Sequence, residues 1–138
     1  MDYDDIYTEF MTKCGYQYTD LPQNDVERYH LIKSGVSVYN QKTKKYKDRI
    51  TTNIQADDNT ESIDKKLDDD ELLALVYCMC SVVASTKLAE FVSTWCTVAE
   101  ETGIKDYKAQ VTARQDNVQY YYDLVTNIIE DRVDTFIL

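Results

Sequence analysis

Only three glycines and a single proline interrupt 138 residues. Tight turns draw on Gly for left-handed backbone and on Pro for a fixed φ, so a sheet-rich chain spends many of both. A chain this poor in them has few connections and long helices. Its length fits one domain, and its 43% apolar content lies near the globular average. The fold class is read as all-α, a helical bundle in a single domain over 1–138. Two N-terminal helices are expected over 1–41 and an extended loop or arm over 42–67. A long helical hairpin and C-terminal tail follow over 68–138.

Apolar spacing places the first two helices. Tyr3, Ile6, Tyr7, Phe10, Met11 and Cys14 recur at intervals of three and four, which is one helical stripe. Asp2, Asp4 and Asp5 sit at its positive end, and Gly15 is a natural stop. Asp20-Leu21-Pro22-Gln23 has capping-box spacing and a first-turn proline. This predicts a second helix running to about Gln41 along Val26, Tyr29, Ile32, Val36 and Tyr39, weakened at Gly35.

Residues 42 to 66 differ in character. Lys42, Lys44, Lys45, Lys47 and Arg49 are five cations within eight residues, followed by Asp57, Asp58, Glu61 and Asp64. Ile50, Ile54 and Ile63 show no sustained period. The segment reads as an arm with a short strand near Ile50 to Ile54, mobile in the free subunit and ordered on assembly. In a chain of net charge −10, the basic cluster is either a solvated loop or a local dipole that orients docking to an acidic partner or DNA.

The third helix has the clearest start. Asp68 is the N-cap, Glu71 follows three residues later, and Leu67 and Leu72 have staple spacing. Leu72, Leu73, Leu75, Val76, Met79, Val82 and Val83 cover most of its circumference, which predicts burial on most sides. Ser85-Thr86 marks a kink or second cap, and Leu88, Phe91, Val92 and Trp95 carry the stripe toward a stop at Gly103. A fourth helix is expected from Asp106 to about Val133, packed antiparallel on the third. Tyr120, Tyr121 and Tyr122 are consecutive and span about 200° of a helix, so at least one is exposed or at an interface. Phe136, Ile137 and Leu138 form an apolar tip expected to dock on a neighbouring protein rather than dangle in water, the alternative being that it folds back onto its own domain.

Catalytic and metal chemistry finds little support. His30 is the only histidine, and no His/Cys grouping has zinc spacing. Asp57, Asn59 and Glu61 alternate like the start of a calcium loop, but the required glycine is Ser62 and the twelfth position is Asp68. No Gly-rich phosphate loop is present. Cys14, Cys78, Cys80 and Cys96 include no Cys-x-x-Cys pair and read as reduced, small apolar residues of a cytosolic protein. The expectation is no enzyme activity, no cofactor and no metal. No secretory leader is visible, and the apolar run Leu72–Ala84 is too short to cross a bilayer, so no membrane association is expected. A pI near 4.4 disfavours general binding to phosphate backbones.

The stretch from Leu67 to about Arg132 resembles small head–tail connector (adaptor) proteins of tailed bacteriophages. The residues that carry this are Leu67-Asp68-Asp69-Asp70-Glu71-Leu72-Leu73-Ala74-Leu75, the step Ser85-Thr86-Lys87-Leu88, and Lys105-Asp106-Tyr107-Lys108 opening the last helix. The resemblance implies a virion protein at the head–tail interface, assembled in the host cytoplasm. It implies a ring, often of twelve copies, that contacts the portal protein and later neck or tail proteins. DNA would pass through its channel without sequence-specific binding. The competing reading is a cytosolic helical regulator or adaptor that binds another protein.

Overall fold

Reciprocal capping at Asp68 and Glu71 starts the longest helix of the molecule. The Asp68 carboxylate accepts the Glu71 N–H at 2.9 Å, and the Glu71 carboxylate accepts the Asp68 N–H at 3.1 Å. The computed structural model describes residues 1–102 and 106–137, with side chains except at 97, 100–102 and 135–137. Among these residues it has four α-helices: α1 (Tyr3–Lys13), α2 (Asp25–Thr43), α3 (Asp69–Thr102) and α4 (Tyr107–Ile137). Two short strands, β1 (Ala56–Asp57) and β2 (Ser62–Ile63), pair antiparallel as a small hairpin. The all-α expectation therefore holds.

α3 and α4 lie antiparallel. Arg132 near the end of α4 pairs with Asp68 at the start of α3, Tyr77 meets Tyr121 midway, and Phe91 stacks on Tyr107 at the far end. Ala74, Leu75, Val76, Cys78, Met79, Cys80, Val83 and Ala84 of α3 face Tyr121, Val125, Ile129 and Val133 of α4 and the inner faces of α1 and α2. α3 runs unbroken through Ser85-Thr86, where a kink or second cap was expected. The Thr86 hydroxyl instead donates back to the Val82 carbonyl inside the helix, at 3.0 Å. α4 continues beyond Val133 to Ile137. The stop expected at Gly103 lies outside the described residues.

α3 from Asp69 to Cys96 is long and apolar enough, by length and composition, to cross a membrane. Half of its most apolar window is buried inside the protein, against the other helices. It is the central helix of the bundle.

α2 starts later than expected. Asn24 is its N-cap and accepts the Glu27 N–H at 2.9 Å, while Glu27 accepts the Gln23 N–H at 3.1 Å. The Gln23 side chain ties down the preceding 3-10 turn (Tyr18–Asp20) by donating to the Tyr18 and Leu21 carbonyls. Leu21 drops into the core. At its other end α2 extends to Thr43 and a 3-10 turn (Lys44–Tyr46) follows.

The segment after α2 is fastened rather than projecting. Ile50, Ile54, Ile63 and Leu67 are all buried. Asn40 receives the Ile54 N–H on its Oδ1 and donates its Nδ2 to the Ile54 carbonyl, at 2.9 and 3.0 Å. The Tyr39 hydroxyl donates to the Thr51 carbonyl, and the Thr51 N–H reaches the Glu71 carboxylate at 2.6 Å. The hairpin is held to the N-terminus by Tyr3 N–H to the Glu61 carbonyl and Ile63 N–H to the Met1 carbonyl. The strand expected at Ile50–Ile54 falls instead at 56–57 and 62–63. The isoleucines have no common period because their backbones are tied at different places, Ile50 to Tyr46, Ile54 to Asn40 of α2 and Ile63 to Met1.

Candidate docking surfaces

Helix length leaves one part of the bundle uncovered. α3 spans about 51 Å and α2 roughly 28 Å at 1.5 Å per residue. Among the described residues, full burial in α3 ends at Ala84, and in α4 it begins at Tyr121. The distal half of the hairpin thus packs mainly on itself. Trp95 is 42% exposed and Val92 37% exposed there. Phe91 anchors a cluster: its ring stacks on Tyr107 at 5.7 Å and lies 6.3 Å from Trp95, and the Arg114 guanidinium sits 3.9 Å over its face. Phe91, Trp95, Tyr107, Gln110 and Arg114 line a shallow cavity of about 250 Å³. Trp, Tyr and Arg presented together on an apolar floor are the composition of an interface hot spot.

The sequence pattern assigns Phe91 and Trp95 to a core stripe and leaves Arg114 aside. The available signal is the length mismatch: the third and fourth stripes outlast anything the first two helices can cover.

The basic cluster forms a second surface. Lys42 lies on α2 and points its ammonium at the Tyr122 ring, 4.3 Å from the centroid. Lys45 sits 5.3 Å over the ring of Tyr46. Lys44 and Lys47 line a cavity of about 470 Å³ with Ser37, Asn40, Gln41, Thr52 and Asn53. Lys44, Lys45, Lys47 and Arg49 are all exposed. Asn53 at the rim takes a left-handed φ of 55°, which Asn tolerates better than most residues.

The three tyrosines point three ways. Tyr121 is buried against Tyr77, and burial pushes its phenol up to about 12. Tyr120 is 57% exposed. Tyr122 is half-buried under Lys42, so the structure joins one residue of the basic cluster to one of the tyrosine run. Leu138 and the side chains of Phe136 and Ile137 lie outside the described residues.

His30 is exposed on the rim of a third cavity, about 370 Å³, beside Asp20, Glu27 and the Lys87–Asp20 ion pair. The residues of the calcium-like spacing build the β-hairpin instead. Asp57 accepts the Asn59 N–H, and Asp58 takes the Tyr3 hydroxyl and Lys33. Glu61 takes the Tyr29 hydroxyl. Among the described residues, no group of three or more His, Cys, Asp or Glu is gathered to hold a metal. Cys78 and Cys80 are buried in the core, where desolvation raises both thiols to about 12.

The fold is a helical bundle with exposed aromatic and basic surfaces, and comparison with known proteins narrows its origin to phage. A family model described as "YomZ prophage protein" matches residues 1–134, and the chain belongs to that family. It is similar to the SPbeta prophage-derived uncharacterized protein YomZ of Bacillus subtilis (strain 168), with 26% identity over 127 residues and 92% of each chain covered. No solved structure matches the chain.

Proposed function

We propose that this prophage protein is a structural component of the phage particle. In this reading it forms a connector ring between the capsid portal and the neck or tail, and so extends the DNA channel. The observation that carries the proposal is the uncovered half of the α3–α4 hairpin, with Trp95 and Val92 exposed around the Phe91–Tyr107–Arg114 cluster. Aromatic side chains can each bury on the order of 150–250 Å² when a partner covers them. The portal protein, neck or tail proteins and further copies of the chain are the partners. The net charge of −10 suits a channel that DNA passes through without adhering. Work of this kind needs contact surfaces and no cofactor. Native mass measurement of the protein alone and with a portal ring of the same phage tests it. A discrete multimer on the portal supports the proposal; a chain that stays unbound at every concentration overturns it.

A further inference from the structure

Charge on the α2 face is divided into two opposite halves. The segment after α2 returns along that helix, so that Glu61 meets Tyr29, Asp58 meets Lys33, and the Ile54 backbone meets Asn40. At the Tyr29–Lys33 end, the hairpin and the N-terminus bring six exposed carboxylates together: Asp2, Asp4, Asp5, Asp57, Asp58 and Glu61. Only one of these, Asp58, has an ion-pair partner among the described residues, and that partner is Lys33. At the other end stands the basic cluster with a single acid in it, Asp48. None of its five cations is ion-paired among the described residues.

Among the described residues those cations have no carboxylate partner, in a chain that holds 25 Asp and Glu against 15 Lys and Arg. The two halves also do not neutralise each other. Lys33 on α2 and Lys44, which caps its C-terminal end in helical conformation, are eleven residues apart, close to three whole turns, so they share a side and stand roughly 16 Å apart. That exceeds the Debye length of about 8 Å at physiological ionic strength. The receiving cavity is already shaped. Asn40 is fixed by two hydrogen bonds to Ile54, and Thr43 and Thr52 are joined through their hydroxyls. Among the described residues no acid lines the cavity.

We propose that this face binds a second copy of the chain through a two-fold contact. The carboxylates of each hairpin and N-terminus meet the Lys44–Lys47 cavity of the other copy. A face carrying both signs side by side is complementary to itself when turned by half a revolution, and such an isologous contact satisfies both halves at once. The contact is polar, and its association falls as salt rises. It uses none of the residues of the Phe91–Trp95 cluster, and because a two-fold contact closes on two copies, it is distinct from the contacts that build the ring of the proposed function.

Charge reversal tests it by sedimentation of the full chain over a concentration series at low and high salt. One variant is Lys44→Glu with Lys47→Glu; the other is Asp4→Lys with Asp5→Lys. These side chains are exposed, so both variants are expected to fold, and melting curves check that. Wild type associates at low salt and dissociates at high salt. Each variant alone loses at least about tenfold in self-affinity through like-charge juxtaposition. An equal mixture of the two variants recovers a complex, because the acidic substitutions of one then meet the basic substitutions of the other while the two unaltered halves still meet. A wild type that stays monomeric at low salt overturns the proposal, including when its cavity takes an acidic peptide from elsewhere. So does a mixture that fails to associate, or a dimer indifferent to both salt and substitution. Portal binding measured on the same variants reports on the ring separately.

Discussion

Gly35→Ala is expected to destabilise the domain although it improves an α-helix. Gly35 sits inside α2, where replacing Gly by Ala ordinarily gains about 1 kcal/mol. Here the residue is buried where α2 lies tight against Met79 of α3. A Cβ would lie 2.4 Å from Met79 Cγ and 3.3 Å from both the Cα and the N of Met79. Cγ is near the root of a fully buried side chain, and the other two atoms are helix backbone, so relief requires Met79 to repack and the helices to part slightly. Overpacking of this kind costs about 1–3 kcal/mol. A 2.4 Å contact at the root of a buried side chain falls in the upper part of that range, about 2–3 kcal/mol, so against the propensity gain the net loss is about 1–2 kcal/mol, or roughly 3–8 °C in melting temperature for a chain of this size. Urea unfolding followed by far-UV circular dichroism measures it, with an unchanged slope showing that stability alone moved. The double variant Gly35→Ala/Met79→Ala should lose less than the sum of its parts, since the truncated Met79 removes the clash. A Gly35→Ala protein as stable as wild type, or more so, would refute the close approach.

Glu71→Ala should cost about 2–3 kcal/mol in the same assay, because it strands the N–H groups of Asp68 and the half-buried Thr51; Glu130→Ala, on an exposed face, should stay within about 0.5 kcal/mol. Burial raises the Asp68 carboxyl, but the Glu71 N–H and the Arg132 guanidinium outweigh it and hold the group below the usual carboxylate value. Its contribution is therefore complete above the ordinary value of about 3.9 and fades as pH falls through the depressed one. Asp68→Asn should lose that acid-dependent part, and acid titrations of the two proteins that run parallel would contradict it. A thiol reagent at mildly alkaline pH should label Cys14 and Cys96, which are half-buried, and leave Cys78 and Cys80 until urea is added; four thiols reacting at one rate would exclude the buried pair.

Where local rules act alone, the residues announce the structure. Asp68 and Glu71 carry the whole capping box of α3 between them, and the stripe from Tyr3 to Phe10 sets α1. The start of α2 is ambiguous because Asp20–Gln23 and Asn24–Glu27 share capping spacing, and the choice falls to Leu21, which is buried only if the helix begins later. The connection after α2 is illegible for a different reason. Ile50, Ile54 and Ile63 are placed by Asn40, Tyr39, Glu71 and the N-terminus, all distant in sequence. The surfaces follow the same division. A basic cluster is visible by eye, whereas its cavity depends on Thr52 and Asn53 folding back over Ser37. The aromatic tip reads as core until the helix lengths are compared.

Docking through that tip is settled by portal-ring binding of Trp95→Ala beside wild type, with melting curves on both. Trp95 is 42% exposed and its ring contributes little to the described core, so its loss should leave the melting temperature unchanged. If the tip is the contact, affinity for the ring falls at least about tenfold, the effect of removing an aromatic anchor worth more than about 1.4 kcal/mol. Undiminished binding by a folded Trp95→Ala protein would contradict the account.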